Sequence, residues 1–441
     1  MKTVTIDKNR VLGRIRELNG VGGGPLTNDF TCDATELFRE ARIPYSRTHD
    51  IEYPYGAGEF VDIHCVFPNF KADPDDPGSY NFIFTDAYLK AIVNAGTKPF
   101  YRLGTTIEHQ PIKRYIFPPE DFAKWGKICS HIISHYNDGW ADGFRMGIEY
   151  WEIWNEPELK NKCWTGTEEE FFRFYDTASR IIKADHPEIK IGGCGFCSPL
   201  TELAEHFLAY VSKTGAPLDF FSWHGYIYTP KWVRELAQGA DERLNKYGFT
   251  DTESIYDEYN YVVRWDKSIQ KSIEMHPTAH VASLVSSVMS VLQKGRTDKA
   301  MYYDVQFNLP EWNGAFRKSI DVFGESYVIT PEKPYYALKA WGMLRELKNE
   351  VYSSSDHEDV YVVAAADDKT LRVLISYYND DAAFGQSKPP RDSIRIDLGG
   401  VESKRAEVRI VDDVRDFAPE PLENNTLTLD GNTFALVTFE L

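Results

Sequence analysis

About eight times in succession, a short apolar run is followed by a stretch whose apolar residues recur at helical spacing. That alternation constrains the chain more than any other feature. Residues 43–48, 98–103, 149–159, 189–191, 218–223, 254–257 and 300–307 read as strands. Between them, Asp33 can cap a helix to about Ala41, and Thr85 or Asp86 opens one with Tyr88, Leu89, Ile92 and Val93 on one face. Pro118-Pro119 is read as the start of the next helix, with Phe122, Trp125, Ile128, Ile132 and Ile133 as its buried stripe. Thr167 and Glu170 make a capping box, Leu203, Phe207 and Val211 mark a further helix, and residues 232–247, 278–294 and 334–347 complete the series. Mostly apolar strands alternating with helices predict a (β/α)8 barrel over residues 12–347. After Lys348 the pattern changes to short alternating runs separated by turn residues, at 360–364, 371–377, 393–398, 406–411, 427–429 and 434–440. These predict a β-sandwich from residues 348–441 together with 1–11, whose strand at 2–6 precedes the barrel pattern. Residues 19–25 (N-G-V-G-G-G-P) read as a glycine-rich loop, without the G-x-x-x-x-G-K-S/T or G-x-G-x-x-G context of a phosphate cradle. The Pro-, Gly- and Asp-rich residues 53–80 read as a long functional loop.

A chain of 441 residues, 42% hydrophobic, suits a barrel plus an accessory domain. Its net charge of −18 argues against nucleic acid or an anionic membrane as partner, because both require basic patches. No window approaches the roughly 20 consecutive apolar residues of a membrane span. The first residues, M-K-T-V-T-I-D-K-N-R, lack the apolar segment of a secretory signal, so the expected location is cytoplasmic. The six cysteines are too scattered for a disulfide scaffold. Cys194-Gly-Phe-Cys197 has redox or zinc spacing but no second C-x-x-C, so a reduced, loop-packed pair is expected. No metal or organic cofactor is expected.

In a parallel barrel, chemistry sits where strands end. In Glu149-Tyr-Trp-Glu-Ile-Trp-Asn-Glu156-Pro, the aromatic and β-branched run is expected to continue until Pro157, which has no N–H for a sheet ladder, ends it. Glu156 therefore emerges at the rim of the fourth strand. Glu258 ends the seventh strand, Arg47 and His49 the second, and His224, with Tyr226, the sixth. Glutamates on the fourth and seventh strands can face one another across the barrel axis. Glycoside cleavage needs such a pair, one acid to protonate the departing oxygen and one carboxylate to attack the anomeric carbon or activate water. Arg47 can pair with Glu258 and keep it ionised, or form a structural ion pair beneath the barrel mouth.

Taken together, Tyr80–Asp86 (Y-N-F-x-x-x-D), Pro118–Trp125 (P-P-E-D-F-A-K-W), Glu152–Leu159 (E-I-W-N-E-P-E-L), Asp219–Tyr226 (D-F-F-S-W-H-G-Y) and Asp257–Asn260 (D-E-Y-N) resemble glycoside hydrolase family 39, the β-xylosidases and α-L-iduronidases. The resemblance runs through nearly the whole chain. It implies a retaining hydrolase with Glu156 as acid/base, Glu258 as nucleophile and carboxylates roughly 5–5.5 Å apart. It implies that Asn155 donates to the sugar 2-hydroxyl, that His49 and His224 bind substrate hydroxyls, and that Tyr226 orients the nucleophile. Homo-oligomerisation is an expectation from this analogy alone. The sequence departs from the family in two places: the eighth strand reads Met301-Tyr-Tyr303-Asp304, where an aromatic residue, usually Trp, is typical, and the loop around Glu108 differs. Tyr303, Asp304 and Glu108 are therefore expected to line the sugar pocket, where an added carboxylate disfavours anionic sugars. The expected substrate is a neutral pentoside, xyloside or arabinoside, attacked from its end. The alternatives are a hexoside, a disaccharide-releasing activity, or a non-catalytic carbohydrate-binding barrel.

Overall fold

In the computed structural model, residues 1–26, 32–51, 59–306, 312–320, 323–324 and 327–441 are described. Eight parallel strands close into a barrel in chain order: Glu17–Gly22, Tyr45–Thr48, Lys98–Leu103, Tyr150–Ile153, Lys190–Phe196, Phe220–His224, Glu253–Tyr259 and Lys299–Tyr302. Helices separate them, among them Thr35–Ala41, Ile83–Asn94, Phe122–Asn137, Glu168–Asp185, Glu202–Thr214, Pro230–Lys246 and Ala279–Gln293, and Lys333–Glu346 follows the last strand. The Thr167/Glu170 capping box forms as expected.

Several boundaries differ from the sequence reading. The glycine-rich residues 19–22 belong to the first barrel strand rather than to a loop. Its glycines serve close packing: a Cβ on Gly20 would sit 2.8 Å from the Ala300 carbonyl oxygen and 2.9 Å from Met301 Cγ. Pro118-Pro119 lie ahead of their helix, which starts at Phe122 with the Asp121 carboxylate accepting from Lys124 N at 3.0 Å. Val93 is exposed on its helix. Residues 53–58 of the predicted long loop, and Phe307 at the end of the predicted eighth strand, lie outside the described residues.

The accessory unit is one nine-stranded, mostly antiparallel sheet. Its order is Asp416–Pro421, Arg405–Val411, Thr433–Glu440, Thr370–Tyr377, Val360–Ala366, Asn349–Ser355, Lys2–Arg14, Asp392–Asp397, Thr426–Leu429. One face buries Val4, Ile6, Val362, Val373, Ile394, Ile396, Leu427 and Val437 against other residues of the same sheet. A flat sheet cannot cover its own face, so this one folds over into the two layers of a sandwich. The N-terminal strand joins it as expected and runs on to Arg14, paired antiparallel with Asn349–Ser355. Beyond Ile6 that strand is held by its ladder while its side chains are exposed, so apolar alternation could not mark it. The other sheet face packs on the barrel: Val363, Ala365, Leu374, Phe434 and Leu436 belong to the barrel's core. The helix Ala279–Gln293, covered on both sides, is buried nearly throughout, and its small serines admit the sheet: Ser283 Oγ donates to the Thr433 carbonyl at 3.0 Å.

Strand alternation layers the barrel interior. Tyr45, Phe100, Tyr150, Phe220, Ile255 and Met301 form an apolar plug. Two residues further along their strands, Arg47, Arg102, Glu152, Ser222 and Asp257 are buried in a polar layer. The rim lies above it. No helix among the described residues is long and apolar enough to cross a membrane.

Candidate active site

The fourth strand stops at Ile153, earlier than Pro157 requires. The chain leaves it through Trp154 and Glu156, whose φ angles of 73° and 43° are left-handed and cost non-glycine residues roughly 1–3 kcal/mol each. Neighbouring groups hold this turn. Trp154 N donates to the Leu103 carbonyl at 2.7 Å, its indole N–H donates to the Cys163 carbonyl at 2.9 Å, and Glu156 N donates to the Gly195 carbonyl at 3.0 Å. Glu156 is thereby aimed inward, its side chain 13% exposed.

His224, at the end of the sixth strand, stands between the two rim glutamates. Its Nδ1 lies 2.9 Å from Glu156 Oε1, and its Nε2 lies 3.6 Å from both Glu258 Oε2 and Asp257 Oδ1. Burial lowers His224 to about 4, so its imidazole is neutral at pH 7. One ligand atom from each of Glu156, His224 and Glu258 lies within 4.8 Å of the others. The donor types could hold a cation, as could Glu59, Asp62 and His64. In both triads, however, protein groups already engage members: Arg102 and Thr106 bind Asp62, and Arg47 and Tyr226 bind Glu258.

Arg47 pairs with Glu258 and also forms the ion pair beneath the barrel mouth. Its Nη1 donates to Glu258 Oε2 at 3.0 Å, Nη2 to Asn155 Oδ1 at 2.7 Å and Nε to Glu152 Oε2 at 2.8 Å, with Asp257 Oδ2 3.1 Å from Nε. Three carboxyl groups share one cation in a dry layer. Burial pushes Asp257 far above the usual carboxylate range, with Glu152 adding to the rise. Burial also works against the Glu152 anion, but Arg47 and hydrogen bonds from Asp257 and Ser222 bring its carboxyl below its ordinary value. The shared proton therefore rests on Asp257.

Glu258 is raised by burial, which outweighs His224, Arg47 and Tyr226 pulling the other way. Arg47 does not hold it low, because its charge is divided. Among the described residues Glu156 has no cation in contact, and burial pushes it up to about 7, against a hydrogen bond from the Cys197 thiol. Arg47 and the Tyr226 hydroxyl both donate to Glu258. Of the two glutamates, Glu258 is the one whose anion these contacts favour, while burial alone dominates at Glu156.

A cleft of about 790 Å³ opens over these groups. Glu156, Glu258, Asn155, Tyr226, His49 and Tyr303 line it. With its oxygen taken by Arg47, Asn155 presents its NH2 as donor. Buried His49 accepts from Arg102 Nε through Nδ1 at 3.1 Å, and its Nε2 lies 3.2 Å from Asp50 Oδ1. Tyr303 donates to Asp50 Oδ2 at 2.5 Å. Two expected pocket residues are not among the lining. Asp304 is 1% exposed and turned down, its Oδ1 accepting from Gln306 N at 3.2 Å. Glu108 accepts from Gln110 N at 2.7 Å. The aromatic surface beside Tyr303 comes instead from Trp312, stacked with Trp265 at 5.8 Å, both set edge-on to Tyr226.

Sequence reasoning missed Glu152, Asp257, Ser222, Arg102 and Asp62. Three of the five, Glu152, Ser222 and Arg102, follow from strand period: counting back by two from Trp154, His224 and Gly104 lands on the polar layer. The six cysteines are free, and Cys197 faces the cleft.

The comparisons with known proteins agree with this architecture. The model of glycosyl hydrolases family 39 matches residues 2–379. A beta-xylosidase of Caldicellulosiruptor saccharolyticus is 25% identical over 436 residues, covering 91% of this chain and 83% of that protein. A glucosidase from Croceicoccus marinus superposes with a TM-score of 0.78 at 20% identity, covering 100% of this chain and 99% of the other. A monomeric beta-xylosidase from Caulobacter crescentus superposes with a TM-score of 0.71 at 17% identity, covering 100% and 99%.

Proposed function

The chain belongs to glycosyl hydrolase family 39, and from that premise we propose that it is a retaining, exo-acting glycosidase of neutral pentosides, with Glu156 as acid/base and Glu258 as nucleophile. The observation that carries the reading is spacing. One carboxylate oxygen of Glu156 lies within 4.8 Å of one of Glu258, which fits the roughly 5–5.5 Å spacing of retaining enzymes better than the roughly 6.5–9.5 Å of inverting ones. Their contacts support the same roles: Arg47 and the Tyr226 hydroxyl favour an anion on Glu258, and burial raises Glu156 to about 7, where it can hold the proton an acid needs.

In the first step a Glu258 oxygen attacks the anomeric carbon. The bond from that carbon to the departing oxygen breaks, its electron pair stays on the oxygen, and Glu156 supplies the proton. The Asn155 amide is placed to donate to the sugar 2-hydroxyl, where a contact tightening in the transition state accelerates the step. In the second step Glu156, now ionised, takes a proton from water as its oxygen attacks the same carbon and releases Glu258. His224, neutral and hydrogen-bonded to Glu156, orients that carboxyl in both steps. The beta-xylosidase relative supports a xyloside or arabinoside as substrate.

A panel of nitrophenyl pentosides and hexosides tests the sugar, and NMR of the first-formed product tests the stereochemistry. Retention of anomeric configuration is expected; first appearance of the inverted anomer would refute the mechanism. Glu258→Ala is expected to lose hydrolysis, and added azide to restore cleavage of nitrophenyl glycosides by forming the glycosyl azide of inverted configuration.

A further inference from the structure

The cleft is uneven, and its unevenness bears on what leaves rather than on which sugar is held. The inference rests on the proposed roles of Glu156 and Glu258. Polar groups gather near Glu258. On the side of Glu156, Leu159 follows the fourth strand, Leu200 follows the fifth, and Trp232 and Leu236 stand on the helix after the sixth. Leu200 is 44% exposed and Trp232 42%. Both are held in place. A Cβ on Gly239 would collide with Leu200, and Trp232 packs edge-on against Tyr228 at 4.8 Å. An anchored apolar wall facing solvent marks a binding surface.

The acid must touch the departing oxygen, so the departing group lies on the side of Glu156. A second sugar there would need a dense set of hydrogen-bonding partners for its hydroxyls. This wall supplies leucines and a tryptophan, and Ser198, Glu235, Lys162 and His109 are the polar side chains that line the cleft with it. We propose that the natural leaving group is an apolar alcohol, aryl or alkyl, rather than another sugar. The chemistry balances as for any glycoside: the alcohol departs with the electron pair of the broken bond and the proton of Glu156.

The test uses n-alkyl 1-thio-β-D-xylopyranosides and 1-thio-β-D-glucopyranosides, from methyl to hexyl, as competitive inhibitors that resist cleavage. Ki is expected to fall by about fourfold per methylene in whichever sugar series binds, the value for burying a CH2 group. The hexyl-to-methyl ratio is expected to collapse in both Leu200→Ser and Trp232→Ala, and a ratio within each variant is unaffected by partial misfolding. A Ki independent of chain length, or xylobiose binding more tightly than the hexyl thioglycoside, would overturn the inference. Turnover of nitrophenyl glycosides without a chain-length trend sinks this inference alone. Absence of turnover across the panel sinks the glycosidase reading itself.

Discussion

Replacing Glu156 by Gln keeps the shape of the side chain and its hydrogen bond to His224 but removes its titration. In the folded protein this carboxyl is raised to about 7 from its ordinary value of 4.5. Between those values the folded state holds a proton that the unfolded chain has released, so raising the pH through this window lowers stability. The full shift corresponds to about 3 kcal/mol, at about 1.4 kcal/mol per pH unit, of which roughly 2–3 kcal/mol falls between pH 5 and pH 8.5. E156Q escapes that loss. It also frees Glu258 from a neighbouring charge that raises it, which acts in the same direction. The expected result, from urea unfolding of both proteins at the two pH values, is near-equal stability at pH 5 and a more stable variant at pH 8.5. A difference that does not change with pH would mean that Glu156 titrates normally, and the argument from burial would fail.

For the active enzyme, kcat/KM should form a bell whose alkaline limb lies near pH 7, where Glu156 loses its proton; activity still rising at pH 9 would contradict this. Arg47→Met leaves Glu152, Asp257 and Glu258 without their shared cation and should cost about 3–5 kcal/mol in denaturant unfolding, as removal of one partner from a buried ion pair does. Gly195→Ala should reduce kcat/KM by about tenfold or more, because its Cβ would lie 3.0 Å from His224 Nε2, 3.1 Å from Arg47 Nη2 and 3.2 Å from Asn155 Oδ1, at a φ of 54°. Wild-type rates in steady-state assays would show that the site relaxes around it.

The barrel was legible because its strands are apolar and its helices periodic, and both signals are local. The first strand escaped because its glycines resemble a turn, and only the neighbouring Ala300 and Met301 show why side chains are excluded there. Strand 416–421 and the hairpin of 316–320 with 327–331 were missed because much of their length is exposed, and strand 349–355 because its polar run Tyr352-Ser-Ser-Ser355 is held by a long-range ladder to the N-terminal strand. Within the site, the rim residues could be read one strand at a time. Asp304 could not, because residues after a strand end can turn either toward the cleft or beneath it, and its burial was decided by packing against the first strand.

Sequence alone determined that two glutamates would end the fourth and seventh strands, since strand period and chain order place them there. It could not determine how they differ. Arg47, four bonded partners around one guanidinium, comes within reach of Glu258 and not of Glu156 only when the barrel closes. That closure removes water from both carboxyls and gives a cation to one of them, so the two glutamates meet different electrostatic surroundings.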